Sequence, residues 1–343
     1  MTTFQLKPIN QQVVAVVGAS SGIGRSTALK FAGRGAKVVV ASRSQPGLDS
    51  LVDEIRAAGG DAVAVVADVA DFAQVRSIAE KAVQQYGRLD TWVHAAATGL
   101  FARFEQIQPE EFKRVIEVNL LGQVYGAMVA LPHLKQTGQG AFISVSSVEA
   151  RRSLPLQSPY SSSKHGLQGF LDAMRVELKH DGVPVSVTEI MPSTINTPFY
   201  NKGKTKLGVK PQGVPPYYHP DQVADAILYA AEHQTRDLIV GDSGRVLDFI
   251  QRLSPALGDF LVQMIAVEGQ HTPTTKYEDD PNNLYEPISG SGYDRIEGDF
   301  GGAMIPSFLE VLDFNPVIKW GTAAGIGALM ILATGLLGGR ENG

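Results

Sequence analysis

Residues 13–24, VVAVVGASSGIG, read as a strand, a glycine turn and the first turn of a helix. Val13 to Val17 are five consecutive small or β-branched apolar residues, which suits a strand covered on both faces of a parallel sheet. Gly18, Gly22 and Gly24 then allow unusual backbone angles and a close approach by a ligand. Amides at the start of the following helix face outward from the strand end. Gly18, Ser20, Ser21, Gly22, Ile23 and Gly24 are therefore candidate contacts for the pyrophosphate of a dinucleotide. The alternative is a glycine turn that merely joins strand to helix.

Outward from this segment, short apolar runs recur at KVVVA (37–41), AVAVV (62–66), TWVHA (91–95), AFISV (141–145), VSVTEI (185–190) and DLIV (237–240). Longer amphipathic stretches such as FAQVRSIAEKAVQQYG (72–87) separate them. This alternation predicts an α/β fold, a Rossmann-type doubly wound parallel sheet of seven strands over residues 1–244, with ligands outside the carboxyl ends of the strands. After Gly241 the alternation stops, and a C-terminal helical extension and linker is expected over 245–315. Residues 245–267 read as amphipathic helix interrupted at Pro255. Residues 271–303, rich in Pro, Gly, Asp, Asn and Ser, read as loop or linker. Trp320 to Gly339 carries no charge and approaches the length that crosses a bilayer, so 316–339 is a candidate transmembrane or docking helix. Gly321 and Gly325 permit close helix contact in a membrane, and Lys319 and Arg340 bracket the run. The alternative is a helix docked on the domain or on a second subunit.

Composition narrows the chemistry. A net charge of −5 and the absence of a long Lys/Arg run argue against nucleic acid. With no cysteine, disulfides, thiolate catalysis and cysteine-ligated metals are excluded. The seven histidines are scattered without the close pairs that a zinc site uses, so no metal is expected. The N-terminus lacks an apolar segment behind a basic start and does not read as a secretory signal.

Tyr160-Ser-Ser-Ser-Lys164 is the strongest chemical signal. Tyrosine and lysine four residues apart share one helix face. A free phenol, with a pKa near 10, is a poor proton carrier at neutral pH, and a neighbouring ammonium favours the phenolate. Ser147 ends the fifth strand thirteen residues before Tyr160, where its hydroxyl can donate to an oxygen on which charge develops. Asn119, in EVNLLG (117–122), stands mid-helix, where asparagine is mildly unfavourable.

The Gly-x3-Gly-x-Gly spacing, Asn119, Ser147 and Tyr160-x3-Lys164, in this order, resemble the short-chain dehydrogenase/reductase family over roughly the first 240 residues. The resemblance implies that Tyr160 passes a proton to or from substrate, Lys164 holds the nicotinamide ribose, Ser147 orients the carbonyl, and the Asn119 backbone carbonyl holds a water linked to the lysine. In that family the residue past the second strand selects the cofactor. Here Ser42-Arg43-Ser44 offers no aspartate for a ribose hydroxyl, and Arg43 presents a planar fork to a 2′-phosphate, which implies NADP(H). The alternative for Arg43 is a solvated loop arginine. Ser21 stands where some NADP-using relatives carry a second basic residue. Asp68-Val69 resembles the adenine-edge contact, and Asp68 would equally cap a helix. The Ile195 backbone and the Thr197 hydroxyl are the implied contacts of the carboxamide. Two stretches depart from the family pattern: His94-Ala95-Ala96-Ala97 lacks side-chain amides and a glycine, and Pro192-Ser193 replaces Pro-Gly. His94 is read as structural.

Residues 198–218 hold four lysines and Phe199, Tyr200, Tyr217 and Tyr218, where relatives carry a substrate lid. Phe101 and Phe104 are expected to face the same cleft. The expectation is NADPH-dependent reduction of a ketone or aldehyde, with a lipophilic substrate favoured. The alternatives are alcohol oxidation by the same site and a nucleotide-binding membrane protein without turnover. A homo-oligomer attached to a membrane, with its catalytic domain on the cytoplasmic side, completes the expectation.

Overall fold

In the computed structural model, which describes residues 4–307, seven parallel strands form one sheet. They are β1 (Val13–Val17), β2 (Lys37–Ser42), β3 (Asp61–Val66), β4 (Thr91–His94), β5 (Gly140–Val145), β6 (Val185–Pro192) and β7 (Asp237–Val240). Their order, β3-β2-β1-β4-β5-β6-β7, reverses direction beside β1, and ligand crevices open at such a switch point.

Alternate residues of β1 feed opposite layers, as strand pleating dictates. Val14 and Val16 pack with Ala28 and Phe31 of α1 (Gly22–Gly33), Leu48 and Ile55 of α2 (Gln45–Ala57), and Val223 and Ile227 of helix Pro220–Glu232. Val13, Ala15 and Val17 pack with Val75 and Ile78 of α3 (Phe72–Tyr86), and with Leu167 and Leu171 of α6 (Ser158–His180). Burial on both faces explains why these strands are uninterrupted apolar runs. Each fully buried Val, Leu or Ile contributes ~1.5–3 kcal/mol relative to exposure.

Between β4 and β5, α4 (Pro109–Ile116) runs through a π-helical turn at Glu117–Leu121 into α5 (Gly122–Thr137). A π turn is rare and marks a place where tertiary contacts override the regular ladder. Here it carries Asn119, whose Oδ1 accepts from Thr98 N at 2.8 Å and whose Nδ2 donates to Thr98 O at 3.0 Å. The continuous stretch Pro109–Thr137 is the one described helix long and apolar enough to cross a membrane; it is half buried, with Ala127, Ala130 and Leu134 in the core.

Beyond β7, Gly241 turns the chain into helix Asp242–Leu253, and Pro255 opens a second helix, Pro255–Gly269, capped by Ser254. Ser193, at the position of the departed glycine, joins these parts. Its hydroxyl donates to Gly241 O at 3.0 Å and accepts from Gly244 N at 2.9 Å. His271–Thr275 then pairs antiparallel with Val209–Pro211. Residues 282–300, without regular structure, lie against the carboxyl end of the sheet: Gly298 N donates to Asn196 O, and Phe300 N donates to Asn196 Oδ1. The chain reaches Ser307 beside the extension, bonded to Asp242 at 2.9 Å. Trp320 to Gly339, expected as a transmembrane or docking helix, lies outside the described residues.

Candidate active site

The glycine spacing follows from what surrounds the turn. Gly18 has φ +88°, and a Cβ there would lie 2.5 Å from the Ala96 backbone nitrogen. A Cβ on Gly24 would lie 2.2 Å from Gly18 O. Only glycine lets the strand end, the residues after β4 and helix α1 come this close while leaving a cradle above them. Gly18, Ser20, Ser21, Gly22, Ile23 and Gly24 all line the resulting cleft, together with Ala95, Ala96 and Ala97.

The same cleft collects the chemical residues. Ser147, Tyr160 and Lys164 line it. Ser147 follows β5 and opens a 3₁₀ turn; its Oγ accepts from Glu149 N at 3.1 Å and is hydrogen-bonded to the Tyr160 phenol. Tyr160 stands in the first turn of α6, which places Lys164 one turn on. Lys164 Nζ donates to Val145 O at 3.1 Å and sits 5.3 Å from the centre of the Tyr160 ring. Burial drives Lys164 down to about 8, against the pull of Glu189 and Glu149. Asn119 is completely buried and spends its side chain on Thr98.

Other groups oppose the ammonium at the phenol. Burial, and then the charge of Glu149, push the Tyr160 pKa well above its ordinary value; only the Ser147 hydrogen bond opposes them. The ammonium lies over the ring, and the buried phenol has lost the water that would solvate its anion. His94 is fully buried outside the cleft lining, with its pKa lowered to about 3 by burial and then by Lys164. It stays neutral, and its Nδ1 accepts from Trp92 Nε1 at 3.4 Å.

At the other end of the cleft, Arg43, Ser44, Asp68 and Val69 face the glycine loop. Arg43 is not a solvated loop residue: its two terminal nitrogens donate to Tyr285 O and Asn283 O, each at 2.6 Å. Asp68 accepts from Arg114 Nη2 at 2.6 Å and from Ala70 N at 3.0 Å, and lies 3.9 Å from Arg43. Ile195 and Thr197 line the cleft between the two ends.

On the substrate side, Leu154, Gln157, Phe199, Tyr200 and Val214 complete the wall. Phe199 packs 5.5 Å from the Tyr160 ring and 6.1 Å from Phe101, so Phe101 supports the wall from behind. Phe104 does not face the cleft; it is 72% exposed, because the 3₁₀ turn Phe104–Gln106 carries it outward. Tyr217 and Tyr218 are buried, Tyr217 stacked on Phe300 and Tyr218 in the core.

The short chain dehydrogenase model matches residues 12–207. The chain belongs to the short-chain dehydrogenase/reductase family. As a member it is an oxidoreductase of carbonyl and alcohol groups that works with a nicotinamide cofactor. An uncharacterized oxidoreductase of Bacillus subtilis, YxnA, is 36% identical over 327 residues, covering 95% of this chain and 91% of that protein. An alcohol dehydrogenase from the archaeon Thermococcus sibiricus, solved with 5-hydroxy-NADP, superposes with a TM-score of 0.59 at 27% identity, over 67% of this chain and 95% of its own. An actinorhodin polyketide ketoreductase solved with NADPH gives a TM-score of 0.61 at 25% identity, over 68% of this chain and 97% of its own. The two solved neighbours therefore match the Rossmann core of this dehydrogenase/reductase, and about a third of the chain exceeds them.

Two cleft residues escaped the sequence reading. Glu149, two residues past Ser147, is fully buried; Ser161 Oγ donates to it at 2.5 Å, and burial raises its pKa to about 7 against that bond. An acid placed between the serine and tyrosine motifs was the available signal. Lys202 lines the cleft near the glycine loop, its Nζ 3.0 Å from Ser21 Oγ. It stood among four lysines of the lid, and nothing local separated it from Lys204 and Lys206, which pair with Glu111.

Proposed function

We propose that this enzyme reduces a ketone or aldehyde to an alcohol with NADPH. The observation that carries the reading is the convergence of Ser147, Tyr160 and Lys164 in one cleft with a glycine turn where a Cβ at Gly18 or Gly24 would strike neighbouring backbone. A reduced nicotinamide held by the glycine turn and Lys164 would supply the hydride for the carbonyl carbon. The Ser147 hydroxyl donates a hydrogen bond to the carbonyl oxygen, and the Tyr160 hydroxyl gives that oxygen its proton. Lys164 holds the ribose and offers an ammonium close to the phenolate that remains. A phenol kept protonated by burial and by Glu149 is in the form that a reduction needs at the start of turnover.

NADPH is favoured over NADH by Arg43 and by the lack of a carboxylate at Ser42–Ser44; both solved neighbours hold an NADP-type cofactor. Leu154, Phe199, Tyr200 and Val214 favour a lipophilic carbonyl. The proposed roles of the remaining residues are pyrophosphate cradling by Gly18 to Gly24, an adenine-edge contact at Asp68 and Val69, carboxamide contacts at Ile195 and Thr197, and support of the catalytic helix by Asn119. Membrane attachment through 316–339 is supported by the uncharged run Trp320 to Gly339. It is also supported by exposed Phe249, Leu253, Phe260 and Met264 on the two extension helices, beside which the described chain ends. A panel of lipophilic and small carbonyls tests the reaction, with consumption of NADPH as the readout. Turnover limited to alcohols with NADP⁺ would reverse the direction, and no turnover either way, with NADPH bound, would leave a nucleotide-binding protein.

A further inference from the structure

We propose that Lys202 is the second cation of a 2′-phosphate subsite and that the Asp294 carboxylate fills this subsite until the cofactor phosphate displaces it. The proposal rests on the NADPH reading above.

Lys202 ends the short helix Phe199–Lys202 that follows β6, yet its ammonium reaches the glycine loop. It lies 3.0 Å from Ser21 Oγ and 3.7 Å from Asp294 Oδ1, with only 9% of its side chain exposed. Burying an ammonium is costly without an anion beside it, so this position is built to hold one. Arg43 stands at the same place: Asn283 receives a hydrogen bond from Arg43 on its carbonyl, and its amide donates to Lys202 O at 2.9 Å. One residue thus touches the Arg43 guanidinium and the Lys202 backbone, and the Arg43 charge is near enough to act on the Lys202 ammonium.

The present tenant fits the place poorly. Asp294 Oδ2 accepts from Gly290 N at 2.8 Å, while Oδ1 faces the Lys202 ammonium at 3.7 Å, a long ion pair. The carboxylate lies against Gly47 in the first turn of α2, where a Cβ would come within 2.7 Å of Oδ1 and 2.8 Å of Ser44 Oγ. Ser44, the N-cap of α2, is itself bonded to Ser289 Oγ at 2.6 Å. Buried charges are usually held at close hydrogen-bonding distance, so a carboxylate oxygen that reaches its ammonium only at 3.7 Å marks a place that an anion with more oxygens would fill better. A phosphate monoester brings three acceptor oxygens and close to two charges. It can engage Ser21, Lys202 and Arg43 together, which a carboxylate cannot. The same segment places Arg295 O at 2.9 Å from Gly22 N, the amide at the start of α1. Residues 283–295 therefore satisfy, with their own oxygens, the donors that a bound dinucleotide phosphate would otherwise meet.

The two residues act in opposite directions, which separates this proposal from a structural ion pair. Affinities of the full-length protein for NADPH and NADH are measured by fluorescence titration in wild type, Lys202→Met and Asp294→Asn. Adenosine 2′,5′-bisphosphate and adenosine 5′-monophosphate serve as probes of the adenosine half alone. Lys202→Met should lower the NADPH-to-NADH preference about ten-fold, the size of one charge-assisted bond, and lower the bisphosphate preference in parallel. Asp294→Asn should raise both preferences while leaving NADH affinity nearly constant. An unchanged preference in Lys202→Met overturns the role of the lysine. Weaker NADH binding in Asp294→Asn overturns displacement, since the carboxylate would then be holding a ribose hydroxyl. A wild-type preference near one removes the NADPH reading itself and the proposal with it. If Lys202→Met does not fold, the Asp294→Asn result alone decides whether a carboxylate competes with the phosphate.

Discussion

Glu149→Gln isolates the effect of one buried acid on both stability and the proton donor. Burial raises the Glu149 pKa from 4.5 to about 7, so the folded protein keeps this proton through a range where the unfolded chain has released it. The sign follows: the contribution is fully present below pH ~4.5 and is lost as pH rises through about 7. At ~1.36 kcal/mol per pH unit, the loss approaches ~3 kcal/mol. Glutamine keeps the shape and the acceptor for Ser161 but has no charge to bury. Denaturant unfolding should therefore show the wild type losing ~3 kcal/mol relative to Glu149→Gln between about pH 4.5 and pH 8. His94 and Glu189 are present in both proteins and cancel in the difference, whereas Lys164 and Tyr160 feel the lost charge directly. The variant should also shift the tyrosine: without the carboxylate charge, one of the two forces that raise the Tyr160 pKa is gone, so the basic limb of the pH–rate profile moves to lower pH. A stability difference that does not vary with pH would refute the reasoning, because it would mean that Glu149 ionises over the same pH range in the folded and the unfolded chain.

Tyr160→Phe should reduce turnover at least ~100-fold while NADPH still binds, because general acid catalysis contributes that much or more; near-wild-type turnover with confirmed binding would refute the mechanism. Arg43→Ala should cut the preference for NADPH over NADH by roughly 10- to 100-fold in titrations of both cofactors, and an unchanged ratio would leave Arg43 only its two carbonyl contacts. The full chain should sediment with membranes and resist extraction by high salt, which screens charges but leaves buried apolar area untouched; a chain soluble without detergent, or one that fails to fold when cut before Pro316, would mean that 316–339 is a docking helix.

The seven strands were legible because each is an apolar run buried on both faces, and the period of burial is written directly into Val13 to Val17 and its counterparts. The proposed catalytic residues were legible for a different reason: Tyr160 and Lys164 are one helical turn apart, so local geometry alone fixes their relation. The positions of Glu149, Lys202 and Asn119 depend on long-range contacts. Asn119 reads as a helix residue out of place until the π turn brings its amide to Thr98. Phe104 was misplaced because an aromatic residue near a cleft in sequence carries no information on which side of a 3₁₀ turn it leaves the backbone. The opposing pull on Tyr160 was not legible, since the charge of Lys164 is visible in the sequence and the desolvation of the phenol is not.

Residues 271–303 show the same limit most clearly. Their composition reads as linker because Pro, Gly, Asp and Asn disfavour helix and strand, and composition says nothing about what the backbone oxygens meet. In the structure those oxygens meet Arg43, through Asn283 and Tyr285, and Gly22, through Arg295. These are donors that the sequence alone had assigned to a dinucleotide. A segment and a ligand that draw on the same donors are thermodynamically linked: whatever free energy holds the segment on those donors is subtracted from cofactor affinity, unless the segment finds new partners on the cofactor itself. Asn283, Pro287 and Ile288 line the cleft and offer such partners. The segment is therefore placed to set how tightly the cofactor binds without touching Ser147, Tyr160 or Lys164.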